Sequence, residues 1–366
     1  TLLNEAIKAQ PGDAAPQVAL IDHLLGRRDL EGALATAQRA GAANSDSLEL
    51  RDALGRVHTA RGEVEQAIAL YTATSRQLPQ SVLPRLRLAE AYLATKRTSL
   101  AADQVQLALI DAPRSLHAQQ LAATVALRQN NPSKALATAR TVQAQRPNDA
   151  AGFTMEGEIE AALRHYAEAA AAYRKALAKA PSTHLAQRLH LALIGGGNDS
   201  EAARWAEQWR AQRPQDIAFV VHLADVALGR GAMEQAEQLY RTVMERLPDN
   251  ALAINNVAYT MVKQGKAGAL PLAERAATLA PNNSAVLDTL AAAYADDKQL
   301  AKAIDSQAKA VALAPDSAPL RMNLARLYLL ADQREKAMVE LDRLATLGKS
   351  FGGYAEVAQL RKKLGP

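Results

Sequence analysis

The chain has 366 residues, of which 49% are hydrophobic but only 4% aromatic, and 43 basic against 38 acidic side chains leave a net charge of +5. Apolar material made mostly of Ala and Leu suits helices and excludes a β-sandwich or barrel, which draws on β-branched and aromatic residues; the mixed charge leaves no electrostatic footprint for nucleic acid. The absence of cysteine rules out disulfides, thiolate metal sites and a cysteine nucleophile, and no stretch approaches 18 uncharged apolar residues, so no membrane span is predicted.

The first residue is not Met, which reads as a cut in a longer protein, and residues 1–13 are predicted to be the trailing helix of a truncated repeat. From residue 14 a period of 34 sets in. Pro11, Pro79, Pro113, Pro147, Pro181, Pro214, Pro248, Pro281 and Pro315 keep this beat or fall one residue short of it, with Ser45 standing between the first two. About twelve residues before each beat stands Ala33, Ala67, Ala101, Ala135, Ala169, Ala202, Ala236, Ala269, Ala303 or Ala337. An alanine fixed at one register position marks the point where two helices cross too closely for a larger side chain.

Ten helical hairpins are therefore predicted over 14–351, starting at residues 14, 48, 82, 116, 150, 184, 217, 251, 284 and 318. The first helix carries pairs such as Leu54-Gly55 and Leu88-Ala89. Tyr71, Tyr173 and Tyr240 follow the fixed alanine by four residues, which predicts packing on the next hairpin. Proline is expected to close each unit and to enter the first turn of the next. The repeats from 184 and 251 are one residue short. The first of these holds Gly195-Gly196-Gly197, then Trp205 and Trp209, read as a loosened helix end with tryptophans as filling, or alternatively as a hinge or aromatic docking point. Residues 352–366 are predicted to form a C-terminal capping helix, over Tyr354 to Leu364, that covers the last apolar face.

This pattern resembles the tetratricopeptide repeat over nearly the whole chain. The resemblance implies an all-α, right-handed superhelix whose first helices line a concave, ligand-binding side. In that register the last three repeats place Asn255, Asn256, Tyr259, Asp288, Thr289, Asn323 and Arg326 in the groove, where amide and hydroxyl groups suit an extended protein or peptide partner. The basic and asparagine cluster of chaperone-binding members is not reproduced. The asparagine ladder of the sugar-transferase relatives is matched only in the final three repeats.

No histidine pair has the four-residue spacing of a helical zinc site, no phosphate-binding glycine loop precedes a Lys-Ser or Lys-Thr pair, and no catalytic constellation is found. A non-enzymatic chain with no cofactor and no metal is expected. His222 and Asp225 are read as a surface ion pair, and Asp296-Asp297 as a loop pair that starts the next helix.

The phrases running from Ala251 to Tyr259, Ala273 to Ala276, Leu279 to Asn283 and Val286 to Leu290, with the finish Leu341 to Leu347 followed by Gly348-Lys349-Ser350-Phe351, are similar to the tetratricopeptide lipoproteins of exosortase (PEP-CTERM) and exopolysaccharide export systems. That resemblance implies a periplasmic scaffold of Gram-negative envelope export machinery, tethered through a lipid anchor or signal segment outside this chain. A cytoplasmic regulatory scaffold and a periplasmic polysaccharide-binding solenoid are the alternatives.

Overall fold

In a computed structural model of the chain, residues 2–10, 12–348 and 351–365 are described; Pro11 of the proline beat, and Lys349 and Ser350 of the C-terminal phrase, lie outside them. Among the described residues there are 22 α-helices and no strand. The chain divides into two compact units, Thr1–Ala202 and Ala203–Pro366.

The first unit contains α1 (Leu2–Ala9), α2 (Ala14–Gly26), α3 (Leu30–Ala43), α4 (Leu48–Ala60), α5 (Val64–Gln77), α6 (Val82–Ala94), α7 (Thr98–Asp111), α8 (Leu116–Arg128), α9 (Pro132–Gln145), α10 (Ala151–Ala162), α11 (Tyr166–Lys179) and α12 (Thr183–Gly195). The boundary falls inside α13 (Asp199–Gln212). The second unit continues with α14 (Ile217–Gly229), α15 (Met233–Arg246), α16 (Ala251–Lys263), α17 (Ala269–Leu279), α18 (Ser284–Asp296), α19 (Leu300–Leu313), α20 (Ala318–Leu330), α21 (Arg334–Ala345) and α22 (Tyr354–Leu364). In each unit the main contacts join helices one or two places apart in sequence, as expected of a stack in which each hairpin packs on its neighbours.

Helix starts are set by side chains that satisfy the otherwise unpaired first N–H groups. The hydroxyls of Ser47, Ser115 and Ser182 and the side-chain oxygens of Asp29, Asn131 and Asn250 each accept from the backbone N–H three residues on. Prolines 79 to 315 of the beat stand in the loops after the second helices, ahead of the next helix rather than within its first turn. There they stop one helix without initiating another.

The fixed alanines form the seam of the fold, and all ten lie between 0% and 6% exposed. Tyr71 and Tyr173 pack first on their own hairpins. A β-carbon on Gly55 would come within 2.2 Å of the Tyr71 ring, and one on Gly157 within 2.6 Å of the Tyr173 ring. Tyr71 also reaches Leu88 and Ala91 of the following hairpin, so the tyrosine bridges both.

Between the two helices of every repeat the turn has one geometry. Arg28, Gly62, Lys96, Asn130, Arg164, Gly197, Gly231, Gly265, Lys298 and Asp332 all have positive φ, from 53° to 78°. The N–H of the residue after each donates to the carbonyl five before it, at 2.8–2.9 Å. This is the Schellman closure, which uses a left-handed residue to satisfy the last helical carbonyls.

That register moves one repeat boundary. Gly197 is the fifteenth residue and Ala202 the twentieth counted from Thr183, as in every other repeat except that from 251, and α12 begins at Thr183. The sixth repeat thus starts at 183, not 184, and the missing residue belongs to the loop between α11 and α12. The glycine triplet then has a local cause. A β-carbon on Gly195 would lie 2.6 Å from the Tyr166 ring, and Gly197 takes the left-handed turn position at φ 74°. In the repeat from 251 the deletion falls between Gly265 and Ala269, and Gly268 absorbs it at φ 87°.

A polar clamp also recurs. The fourth residue of several first helices donates to a loop carbonyl six residues earlier: Arg51 to Ser45 at 2.8 Å, Arg85 to Pro79 at 2.5 Å, Gln119 to Pro113 at 2.9 Å and Arg321 to Pro315 at 2.8 Å. The same side chains reach the second helix of their repeat, at Gln77, Asp111, Gln145 and Glu340 respectively. Each clamp ties the loop to both helices of its hairpin.

At the C-terminal end of the second unit, Val357 of α22 is 1% exposed and packs with Met322, Leu341 and Leu344. α22 thus removes from water the apolar face of the last hairpin.

Candidate partner-binding groove

The candidate groove lies on the first helices, whose fifth, sixth and ninth positions mix polar side chains with core residues such as Ala53, Leu86 and Met322. In the first unit these positions neutralise one another. Asp52 accepts from Arg56 at 3.1 Å and from Arg87 at 2.6 Å; Arg87 reaches Glu90 at 3.1 Å; Glu90 meets His117 at 2.7 Å; and Arg56 also pairs with Asp22. A ladder that consumes its own charges leaves little unmatched potential for a partner.

The second unit has a pocket of about 210 Å³ among α16, α18, α19 and α20. Val262, Ala292, Ala295 and Leu327 form an apolar wall, and Tyr259, Lys263, Asp288, Asp296, Asn323 and Arg326 bring polar groups. The polar groups are positioned by one network. Asp288 Oδ1 accepts from Gln307 Nε2 at 2.7 Å and from Asn323 Nδ2 at 2.8 Å. Asn323 Oδ1 accepts from Arg326 Nη1 at 3.3 Å, and Arg326 makes a two-point contact with Glu356 of α22 at 2.9 and 2.7 Å. The Lys263 ammonium lies 5.4 Å from the Tyr259 ring centroid.

Of the residues predicted from register, Tyr259, Asp288, Thr289, Asn323 and Arg326 line this pocket, whereas Asn255 and Asn256 do not. Thr289 is 3% exposed and its hydroxyl donates to the Ala285 carbonyl at 3.1 Å, so it contributes shape more than hydrogen bonding. Asn255 is 5% exposed; its Nδ2 donates to Asn256 Oδ1 at 3.1 Å and its own Oδ1 is buried without a partner.

Asp225 accepts the Tyr240 hydroxyl at 2.5 Å. Burial, then that carboxylate, pushes the Tyr240 phenol well above its ordinary range, while burial lowers the His222 imidazole against the opposing pull of Asp225. Asp296 and Asp297 close α18 instead of opening α19, whose N-cap is Gln299. Trp209 is 2% exposed, packs on Trp205 and Phe219, and donates from Nε1 to Asp216 at 2.9 Å. Among the described residues no group of three or more His, Cys, Asp or Glu is placed to hold a metal ion, and no helix is long and apolar enough to cross a membrane.

Reading groove positions from the first helices alone misses Gln307, which projects from a second helix. A signal for it exists: Gln307 follows the fixed Ala303 by four residues, at the beat where Tyr71, Tyr173 and Tyr240 stand, and is 1% exposed. A glutamine at a core position needs polar partners, and Asp288 and the Leu320 carbonyl supply them.

Residues 53–115 and 121–184 match the profile of the tetratricopeptide repeat family. Those two segments are tetratricopeptide repeats. It is 33% identical over 112 residues to tetratricopeptide repeat protein 21A of Mus musculus, covering 30% of this chain and 8% of that protein, and 30% identical over 129 residues to a TPR repeat-containing protein of Pseudomonas aeruginosa, covering 34% and 22%. The chain thus spans less than a quarter of either curated relative. Solved structures similar to it include MamA from Desulfovibrio magneticus (22% identity, 46% of this chain and 97% of that one, TM-score 0.41) and a tetratricopeptide repeat protein from Parabacteroides merdae (14% identity, 67% and 97%, TM-score 0.44).

Proposed function

We propose that this tetratricopeptide protein is a non-enzymatic scaffold that grips an extended segment of a protein partner in the groove of its last three repeats, as part of a bacterial envelope export or sorting assembly. The observation that carries the first half of this reading is the pocket at Tyr259, Asp288, Asn323 and Arg326. Its apolar wall suits a side chain, and its amide and carboxylate rim suits a peptide backbone that must both donate and accept.

The envelope role rests on the C-terminal phrases similar to exosortase-associated and exopolysaccharide-export lipoproteins. On this reading the protein works in the periplasm, tethered through a segment outside this chain. Two experiments test the two halves separately. Fractionation of the native host tests the compartment: recovery with spheroplast cytosol contradicts it. Affinity capture with wild type and with Asn323→Ala plus Tyr259→Ala tests the groove: an unchanged partner set moves the site elsewhere.

A further inference from the structure

A second pocket in the Ala203–Pro366 unit, of about 400 Å³, opens where the C-terminal ends of α13 and α15 meet the start of α14. Arg210, Arg213 and Arg246 line it, with Glu207 as the one carboxylate, and Thr242 and Val220 at its wall. It lies where the repeats from 48, 82 and 116 carry the polar clamp. In the repeats from 48, 82 and 116 the fourth residue is Arg51, Arg85 or Gln119, bonded to the acceptor at the thirtieth position, Gln77, Asp111 or Gln145. In the repeat from 217 the fourth residue is Val220, which has no donor to offer, and the thirtieth is Arg246, a cation in place of the acceptor.

The exchange leaves space where the repeats from 48, 82 and 116 have a bridge, and it leaves charge unmatched. Neither Arg210 nor Arg246 has an ion-pair partner among the described residues. Arg213 is held by stacking, its guanidinium carbon 4.0 Å from the Trp209 ring centroid, an arrangement that fixes the plane and leaves edge N–H groups for a ligand. Basic residues near helix C-termini also complement the helix dipole, but that role needs no pocket and no stacked third guanidinium.

We propose that this pocket binds a phosphate-type oxyanion, free or as an ester. Three guanidiniums against one carboxylate give an excess of two positive charges, which matches a phosphate monoester near neutral pH. Guanidinium forks pair with phosphate oxygens through parallel N–H bonds, where a single carboxylate offers only one pair. This site shares no lining residue with the groove at Asp288 and stands independently of it.

The two tryptophans of the chain, Trp205 and Trp209, lie 5.5 Å apart beside the site and report on it. Intrinsic fluorescence of the full chain, titrated with inorganic phosphate and separately with phosphoserine at constant ionic strength, should change saturably with at least one of them; the tighter of the two shows whether the free or the esterified form is preferred. Arg246→Gln, and independently Arg210→Gln, should weaken the response at least about tenfold, or about 1.4 kcal/mol. Arg39→Gln, an equal charge change on the other unit, should leave it unaltered. Absence of a saturable response to both probes, an equal response to acetate, or titration of both pocket variants like wild type would overturn the proposal.

Discussion

The Tyr173 ring lies directly on Gly157 of the facing helix, so close that a β-carbon there would come within 2.6 Å of ring carbons. Tyr173 is 1% exposed, and burial, with the Glu158 carboxylate adding to it, pushes its phenol up to about 12. Gly157→Ala should therefore overpack one hairpin and cost on the order of 1–3 kcal/mol by chemical denaturation. Hydrogen exchange should rise first in residues 150–182 and the adjoining hairpins; a uniform rise along the chain would contradict nearest-neighbour stacking.

The left-handed turn residues offer the opposite experiment. Arg164 and Lys298 hold φ of 62° and 60°, a conformation that costs a side-chain-bearing residue about 1–2 kcal/mol relative to glycine. Arg164→Gly should raise stability by about 1 kcal/mol, and Gly231→Ala, at φ 74°, should lower it by a similar amount. Thermal melts of the two variants should move in opposite directions.

These two features differ in how far the sequence exposes them. The alanine seam is legible because steric exclusion permits one small residue type at the crossing, and all ten beats obey it. The turn is not, because only Gly62, Gly197, Gly231 and Gly265 announce positive φ, while Arg, Lys, Asn and Asp fill the same geometry elsewhere. The one-residue deletion near 183 lies in the loop before α12 rather than inside the following repeat, because proline spacing fixes the loops loosely and only the turn geometry fixes the register. The groove is legible in direction but not in depth. Register carries Tyr259, Asp288 and Asn323 to the pocket, yet it does not reveal that Thr289 spends its hydroxyl on Ala285 or that Asn255 is buried.

Glu237 gives a pH test. Burial raises its pKa, but hydrogen bonds from Lys266, Arg241 and Gln264 outweigh burial and hold it below its ordinary 4.5. A depressed carboxylate stabilises the fold above its unfolded pKa and loses that contribution as pH falls through the folded value. Glu237→Gln should be less stable than wild type by roughly 1–2 kcal/mol at pH 7, since a charge-assisted network is lost. The difference should shrink below about pH 4.5. An equal gap at pH 3 and pH 7 would show that the charge does not matter there.

The clamp makes a further local claim. Arg85 is bonded to the Pro79 carbonyl and to Asp111, joining a loop to both helices of its hairpin. Arg85→Ala should cost about 1–3 kcal/mol, and amide exchange should quicken in the 79–81 loop and the last turn of α7 before it does elsewhere in the unit.

The groove at Asp288 is the central functional claim, and photo-crosslinking in the native host tests it most directly. A photoreactive residue at Ala292, inside the pocket, is compared with one at Gln106, exposed on α7. A discrete crosslinked partner from position 292, lost when Asn323→Ala is added and absent from position 106, is the predicted result. No adduct at 292, or the same adducts from both positions, would contradict a partner seated in this groove.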